Sequence, residues 1–196
     1  MDDRRRELLD ELYADGSAYD ARQSDRLLRR RNFEPDAAEL LTLAVRMAGA
    51  RDIVEIGTSN GYSTIWLADA AADTGGTVVS VDTASTDEAG ENLRRAGLAA
   101  RVHLIQGDGG RHLAELPDGS VDLLFLDAER TAYTSWWPHP VRVLRPGGVL
   151  AVDNVLVPSP DELTGFLALV TEDDRVTGST VSVGKGLHLA WRRTGG

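Results

Sequence analysis

The sequence predicts one α/β domain built on a doubly wound, mostly parallel sheet of seven strands. Three observations predict this class. From residue 53 onward, short apolar runs alternate with helical patterns, and most of these runs end beside an acidic residue. The last two β-rich runs are joined only by Gly184-Lys185-Gly186, a length typical of an antiparallel hairpin.

Five of the predicted strands are apolar runs with hardly a polar residue inside, which is typical of strands buried on both faces. They span residues 53–56, 77–81, 102–106, 121–126 and 149–152. The last four are followed by an acidic residue at once or one residue later, and the first runs into Gly57. Ligands of parallel sheets bind at the carboxyl ends of the strands, so these residues mark the expected functional edge.

Helical patterns lie between the strands and complete the βαβ units of a parallel sheet. They are predicted at residues 61–72, 86–96, 110–115, 132–144 and 161–171. The C-terminal hairpin is predicted from residues 175–183 and 187–191. Residues 1–50 are expected to form a cap of two or three helices on an α/β core of residues 51–196. One of these helices spans residues 35–47, with Pro35 in its first turn.

Composition excludes several classes of protein. Apolar residues make up 42% of the chain and charged residues 27%, which is ordinary for a globular domain. No apolar run approaches the ~20 residues of a membrane span, and the charged N-terminus does not resemble a signal peptide. We therefore expect a cytoplasmic protein without a membrane partner. The absence of cysteine excludes disulfides, thiolate metal sites and a cysteine nucleophile.

The formal net charge of −10 argues against a nucleic-acid partner, because such a chain repels phosphates. One basic cluster stands apart, Arg26 with Arg29, Arg30 and Arg31. We interpret it as a solvated helix face or a dimer contact, with a nucleic-acid contact as the alternative.

A glycine-bearing turn connects the first predicted strand to the first helix of the core. Gly57 and Gly61 allow the backbone to pass close to a ligand, and the helix start offers unpaired N–H groups to an anion. The Gly-x-x-x-Gly spacing disfavours a pyrophosphate-binding dinucleotide loop; a plain turn is the alternative. The candidate binding residues are Glu55, Gly57, Thr58, Ser59, Gly61, Tyr62 and Ser63.

Acidic residues follow the second and third predicted strands. A carboxylate at Asp82 can accept hydrogen bonds from both hydroxyls of a ribose. Asp108, followed by Gly109, is placed to meet an adenine amino group, and a helix N-cap is an equally good interpretation.

Asp127, Asp153 and Asn154 follow two further strands. Two carboxylates and an amide oxygen suit a hard cation such as Mg²⁺ or Ca²⁺. Asp-Asn after a strand is also a common turn, so the spacing alone leaves both interpretations open.

Taken together, these residues resemble the cation-dependent O-methyltransferases, the family that includes the catechol and caffeoyl-CoA types. The resemblance covers residues 33–192, and the ordered set of motifs is specific. The motifs are Val54-Glu55-Ile56-Gly57-Thr58 with Gly61-Tyr62-Ser63, Phe125-Leu126-Asp127-Ala128, Leu144-Arg145-Pro146-Gly147-Gly148, Val152-Asp153-Asn154-Val155-Leu156 and Val183-Gly184-Lys185-Gly186-Leu187.

The resemblance implies a Rossmann-like class I methyltransferase fold, S-adenosylmethionine as cofactor and a homodimer. Glu55, Gly57 and Ser63 would line the methionine part of the cofactor. Asp82 would bind its ribose, and Asp108 would lie beside its adenine. Asp127, Asp153 and Asn154 would hold a divalent cation that binds two adjacent oxygens of a small catechol-like or phenolic substrate. The cation would acidify the hydroxyl to be methylated and orient it.

The chain departs from the family pattern at several positions. Arg130 replaces the usual lysine and cannot act as a general base, because arginine stays protonated; a role in stabilising a phenolate remains. Glu129 replaces an aspartate and would serve as proton acceptor or as a supporting partner. Residues 155–160 form a short segment where the family carries a longer loop. Lys185 lies in the turn of the C-terminal hairpin, which closes the sheet. Its side chain is expected either to reach the rim of the pocket or to be exposed.

Three functions are compatible with these residues. The first is a metal-dependent O-methyltransferase. The second is a protein that binds S-adenosylmethionine but has lost or redirected methyl transfer, as the change at Arg130 suggests. The third is a nucleotide-dependent oxidoreductase, which the glycine spacing disfavours. The residues favour the first.

Overall fold

The computed structural model of the chain describes residues 1–25 and 29–195. Seven strands form one sheet within these residues. Their bounds are β1 (Asp52–Ile56), β2 (Thr77–Asp82), β3 (Val102–Gln106), β4 (Val121–Leu126), β5 (Leu144–Val152), β6 (Val176–Val181) and β7 (Leu187–Arg192). The order is β3-β2-β1-β4-β5-β7-β6. The first five strands are parallel, and β7 pairs antiparallel with β5 and β6. The predicted fold class is confirmed.

Helices cover both faces of the sheet. They are α1 (Asp3–Asp20), α2 (Pro35–Ala48), α3 (Tyr62–Thr74), α4 (Asp87–Arg95), α5 (Gly109–Glu115), α6 (His139–Arg142) and α7 (Asp161–Glu172). Short 3-10 helices lie at Ala99–Arg101 and Arg130–Trp136. None of the helices in the described part of the chain is long and apolar enough to cross a membrane.

Central strands alternate their side chains between the two layers of helices. Leu123 and Phe125 of β4 pack with α1, α2 and α3, whereas Leu124 and Leu126 pack with α5, α6 and α7. All six residues of β4 are buried, as expected for a strand covered on both faces. The carboxyl ends of β1, β2 and β4 consequently meet at one edge of the sheet, between the helix layers.

The predicted helix at residues 132–144 is wrong. A 3-10 helix occupies Arg130–Trp136, α6 covers only His139–Arg142, and β5 already begins at Leu144. Pro138 and Pro140 explain the break, because proline lacks an N–H donor and disfavours helical backbone in the residue before it. The strand β5 therefore also includes Arg145-Pro146-Gly147-Gly148.

The interpretation of the basic cluster as a helix face is also wrong for the arginines that the structure describes. Arg29, Arg30 and Arg31 lie between α1 and α2 in a stretch without helix, and Arg26 lies outside the described residues. The Asp20 carboxylate at the end of α1 accepts the backbone N–H groups of Arg30 (2.7 Å) and Arg31 (2.8 Å). Arg31 has a left-handed φ of 51°, which ends any helical continuation.

Candidate active site

The turn after β1 is clamped against the ends of β2 and β4. Gly57 has a φ of 110°, and a Cβ atom there would lie 2.0 Å from the backbone oxygen of Asp127. One oxygen of the Asp82 carboxylate accepts the N–H groups of Thr58 and Ser59, both at 2.8 Å. The turn therefore depends on the missing side chain at position 57 and on the carboxylate at position 82.

A cavity of about 460 Å³ opens at this edge of the sheet. It brings together all of the predicted cofactor-binding residues except Glu55 and Gly61. The lining residues from that set are Gly57, Thr58, Ser59, Tyr62, Ser63, Asp82, Asp108, Gly109 and Asp127. Gly61 is the N-cap of α3 with a φ of 83°, and it packs toward Ala89.

Glu55 lies fully buried beneath the turn rather than in the cavity wall. Its carboxylate accepts hydrogen bonds from the hydroxyls of Ser63, Thr64 and Ser80. Burial raises the pKa of Glu55 to about 7, although these hydroxyls act in the opposite direction. Because Ser63 lines the cavity and Glu55 does not, Glu55 would affect a ligand by orienting the Ser63 hydroxyl.

The raised pKa of Glu55 predicts a contribution to stability that decreases as pH rises. Between pH 4.5 and about 7 the folded carboxyl keeps a proton that the unfolded carboxyl has released, so the free energy of unfolding falls across this window. The full shift corresponds to about 3 kcal/mol for this buried group. Below pH 4.5 both states are protonated and the contribution is unchanged.

Glu55→Gln cannot ionise and should remove this contribution. In urea titrations with EDTA between pH 4.5 and about 8, the variant should gain stability relative to wild type as pH rises. A difference between the two proteins that does not change with pH would contradict the raised pKa.

The wall formed by α5 combines a helix cap with an aromatic ring. The Asp108 carboxylate accepts the N–H of Arg111 at 2.7 Å, which confirms the N-cap interpretation, and Asp108 also lines the cavity. The Trp136 indole packs so closely on this helix that a Cβ at Gly110 would lie 2.3 Å from its Nε1. Trp136 therefore provides a flat apolar wall beside Asp108.

The predicted cation ligands form one group at the ends of β4 and β5. The Asn154 side-chain amide donates to Asp127 Oδ1 at 3.2 Å and to Asp153 Oδ2 at 2.6 Å. Asp153 is 1% exposed, and its Oδ1 has no hydrogen-bond partner among the described residues. Asp127 and Asn154 line the cavity, so the group opens toward a ligand.

Electrostatics in this group favour an added positive charge. Burial raises the pKa of Asp127 to about 6, against the nearby charges of Arg31 and Lys185. Burial, reinforced by the charge of Asp127, also raises the pKa of Asp153.

A divalent cation fits this donor set, because it would partner the bare oxygen of Asp153 and compensate both carboxylates. Exchanging the nitrogen and oxygen of the Asn154 amide would supply the third oxygen ligand. Within residues 1–25 and 29–195, no three side chains of the His, Asp and Glu type form a metal site, so the site would have only two carboxylates.

Arg130 and Glu129 occupy different environments although they are adjacent. Glu129 lines the cavity. Arg130 is 4% exposed, donates to the backbone oxygen of Asn154 at 2.9 Å and pairs with Glu162 of α7 at 2.6 Å. Arg130 is absent from the cavity lining. These contacts are those expected of a residue that positions Asn154, and not of a residue that touches a phenolate.

Lys185 lies in the turn between β6 and β7 and pairs with Glu34. Its backbone oxygen accepts the N–H groups of Leu156 and Val157, which fastens the closing hairpin to the segment after β5. Burial lowers the pKa of Lys185, but its bond to Glu34 outweighs this effect, and the pKa is raised. Lys185 thus faces the acidic edge of the sheet without lining the cavity.

Sequence reasoning missed one wall of the cavity. Arg29, Arg30, Arg31 and Phe33, which precede α2, line it together with the strand ends. The cluster of arginines was visible, but its spacing carries no helical or strand pattern that would place it over β4. Phe33 packs against Phe125 with ring centroids 5.0 Å apart, and this long-range contact holds the segment in place.

Comparisons with known proteins identify the family of the chain. A sequence model of the O-methyltransferase family matches residues 17–193. Over 137 residues the chain is 39% identical to a catechol O-methyltransferase of Mycobacterium tuberculosis, covering 62% of this chain and 61% of that protein. A catechol O-methyltransferase of Niastella koreensis is 33% identical over 126 residues, covering 62% and 57%. The matches therefore span about three fifths of these two relatives.

A solved structure extends the similarity to nearly the whole chain. The O-methyltransferase from Bacillus cereus, in complex with SAH, is 27% identical and superposes with a TM-score of 0.79. The superposition covers 95% of this chain and 91% of that one. It therefore extends well beyond the 62% of the chain that is matched by the two catechol O-methyltransferases.

Proposed function

The chain belongs to the family of S-adenosylmethionine-dependent O-methyltransferases, and on that premise we propose that it is a metal-dependent enzyme. The divalent cation, Mg²⁺ or a similar ion, would be held by Asp127, Asp153 and Asn154. The substrate would be a small catechol-like or phenolic molecule, one hydroxyl of which is methylated. The catechol O-methyltransferases among its relatives support this substrate class.

One observation carries the proposal. Two buried carboxylates and an amide lie in mutual contact at the cavity, and one carboxylate oxygen lacks a partner among the described residues. Burying such a pair costs free energy unless a cation compensates it. A protein that only needed a turn after β5 would not require this arrangement.

The residues of the chain would divide the work of the reaction. The turn at Gly57 and the hydroxyl of Ser63 would hold the methionine part of the cofactor, next to Asp127. When bound, the cation would lower the pKa of the substrate hydroxyl and fix its orientation. Glu129 lines the cavity two residues beyond Asp127 and would accept the proton. Arg130 would keep Asn154 in place through the Asn154 backbone oxygen.

Other expectations about partners remain proposals. We propose that the partner is a small hydroxylated substrate and that neither a membrane nor nucleic acid is bound; the net charge of −10 supports the last point. We also propose a homodimer. Leu43 is 50% and Met47 is 79% exposed, and these side chains, four residues apart, share one face of α2.

Methyl transfer tests the proposal directly. Wild-type protein with S-adenosylmethionine and a panel of catechols should give a methylated product, detected by mass, with Mg²⁺ but not with EDTA. Added Mg²⁺ should restore activity after EDTA. Arg130→Lys should be less active, because one ammonium cannot replace both the bond to Asn154 and the pair with Glu162.

Binding of SAH provides the control, since only Asp127 belongs both to the residues proposed to hold the cofactor and to the proposed cation ligands. SAH binding in calorimetry should be similar with Mg²⁺ and with EDTA. Bound SAH without turnover of any catechol would favour the alternative of lost or redirected methyl transfer. Turnover unaffected by EDTA would refute the metal site.

A further inference from the structure

Three consecutive arginines line the cavity of a protein whose net charge is −10. The side chains of Arg29 and Arg30 are bonded to neighbouring residues. Arg29 donates twice to the backbone oxygen of Gln23, at 3.1 Å and 2.9 Å. Arg30 pairs with Glu88 at 2.6 Å and lies 4.7 Å above the ring centre of Tyr19. The charge of Arg30 is therefore paired within the protein, and the guanidinium of Arg29 is bonded to the backbone.

Arg31 differs from these two. Its side chain makes no hydrogen bond or ion pair with the residues that the structure describes. It is half-buried and lines the same cavity as Asp127 and Asn154. The guanidinium therefore shares the cavity with these proposed cation ligands without being bonded to them.

The backbone at Arg31 is fixed in a conformation that arginine seldom adopts. Its φ of 51° costs a non-glycine residue free energy. The N–H groups of Arg30 and Arg31 are held by Asp20, and the Arg30 backbone oxygen accepts the Ser59 hydroxyl at 3.3 Å. A strained, well-anchored residue with an uncommitted side chain at a cavity is typical of a ligand contact.

We propose that Arg31 binds a carboxylate on the substrate, so that the enzyme acts on hydroxylated aromatic acids rather than on neutral catechols. This inference rests on the proposed function. The planar guanidinium matches a carboxylate through two parallel hydrogen bonds. The diol would lie at Asp127, Asp153 and Asn154, and the acid group would lie at the wall formed by residues 29–33.

The cofactor has a carboxylate of its own, so the experiment must separate the two sources. The probes are protocatechuate and caffeate, whose carboxylates lie at different distances from the same diol, and their neutral methyl esters. Wild type should prefer at least one acid over its ester by about ten- to a hundredfold in kcat/KM, the range for a bond to a charged group. In Arg31→Gln the acid and its ester should give the same kcat/KM, because any effect of the lost charge on the proposed cation ligands is common to both substrates, and the affinity for SAH should stay unchanged.

Arg175→Gln is the matched control, because Arg175 is exposed at the opposite end of the sheet and pairs with Asp173. It should keep the preference for the acid. A weaker affinity for SAH in Arg31→Gln, with the preference intact, would assign Arg31 to the cofactor and overturn the proposal. Equal kcat/KM for acids and esters in wild type would also overturn it.

Failure of the proposed function would be recognised separately. If wild type methylates neither acids nor esters, calorimetry of protocatechuate and caffeate with the SAH complex still tests the carboxylate contact. Binding that is weakened about tenfold or more by Arg31→Gln, but not by Arg175→Gln, would support the contact. Equal binding to both variants and wild type, or no binding to any of them, would refute it.

Discussion

Replacing Asp153 with asparagine is expected to raise the stability of the metal-free protein and to lower its kcat/KM for methyl transfer by about a thousandfold. Burial and the charge of Asp127 raise the pKa of Asp153, so its ionised form costs folding free energy that an amide avoids. The same change removes one of three proposed cation ligands. Lewis-acid stabilisation is worth several kcal/mol, or about a thousandfold in rate.

Asp69 offers a control with the opposite expectation. It is also buried, at 4% exposed, but it pairs with Arg5 at 3.0 Å and with Arg46 at 3.2 Å. Asp69→Asn should therefore lower stability and leave kcat/KM unchanged. Urea unfolding in EDTA and kinetics with Mg²⁺ measure both quantities. If Asp153→Asn lost stability in the same way as Asp69→Asn, the carboxylate would be structural and the metal proposal would lose its main support.

Alanine at position 57 is expected to lower the free energy of unfolding by about 3 kcal/mol or more and to abolish SAH binding. A left-handed φ costs a residue with a Cβ about 1–2 kcal/mol. The added Cβ would also lie 2.0 Å from the backbone oxygen of Asp127. That oxygen cannot yield easily, because the Asp127 N–H donates to the backbone oxygen of Ile56 at 2.9 Å and joins β4 to β1.

Gly75→Ala separates the cost of the left-handed backbone from the cost of the contact between the added Cβ and Asp127. Gly75 has a φ of 73°, but a Cβ there would have no neighbour within 4 Å. It should cost about 1 kcal/mol and leave the calorimetric affinity for SAH unchanged. Equal losses of stability in the two variants would show that backbone conformation, and not contact with Asp127, makes glycine necessary at position 57.

The local pattern of apolar runs and acidic residues was sufficient to predict most of the residues at the edge of the sheet where the cavity lies. Continuous apolar runs identified the central strands, and parallel strands place their carboxyl ends together. Asp82, Asp127 and Asp153 could therefore be assigned to one edge without knowledge of any contact. Asp108 follows the same logic, and its helix cap was visible because aspartate favours the N-cap position.

Other features depend on contacts that the sequence does not display. Arg130 follows Asp127 closely, yet its guanidinium turns away to Asn154 and Glu162, because α7 offers a carboxylate on that side. Arg31 lines the cavity because Asp20 and Phe33 anchor the segment without helix that precedes α2. The helix expected across residues 132–144 is absent for a local reason, because Pro138 and Pro140 break it. The prediction gave more weight to the apolar pattern around these prolines than to the prolines themselves.

The hydrogen bonds that the Asp20 carboxylate accepts from the backbone N–H groups of Arg30 and Arg31 have a consequence for the rate of ligand release. Two hydrogen bonds to one side chain of α1 hold this wall of the ligand cavity, together with the contact of Phe33 with Phe125, and neither belongs to a strand pairing of the sheet. We expect departure of the spent cofactor past this wall to be a local opening event, and such events limit turnover in many enzymes. Deuterium uptake at these two amides would time the opening, and the residence time of SAH should follow it.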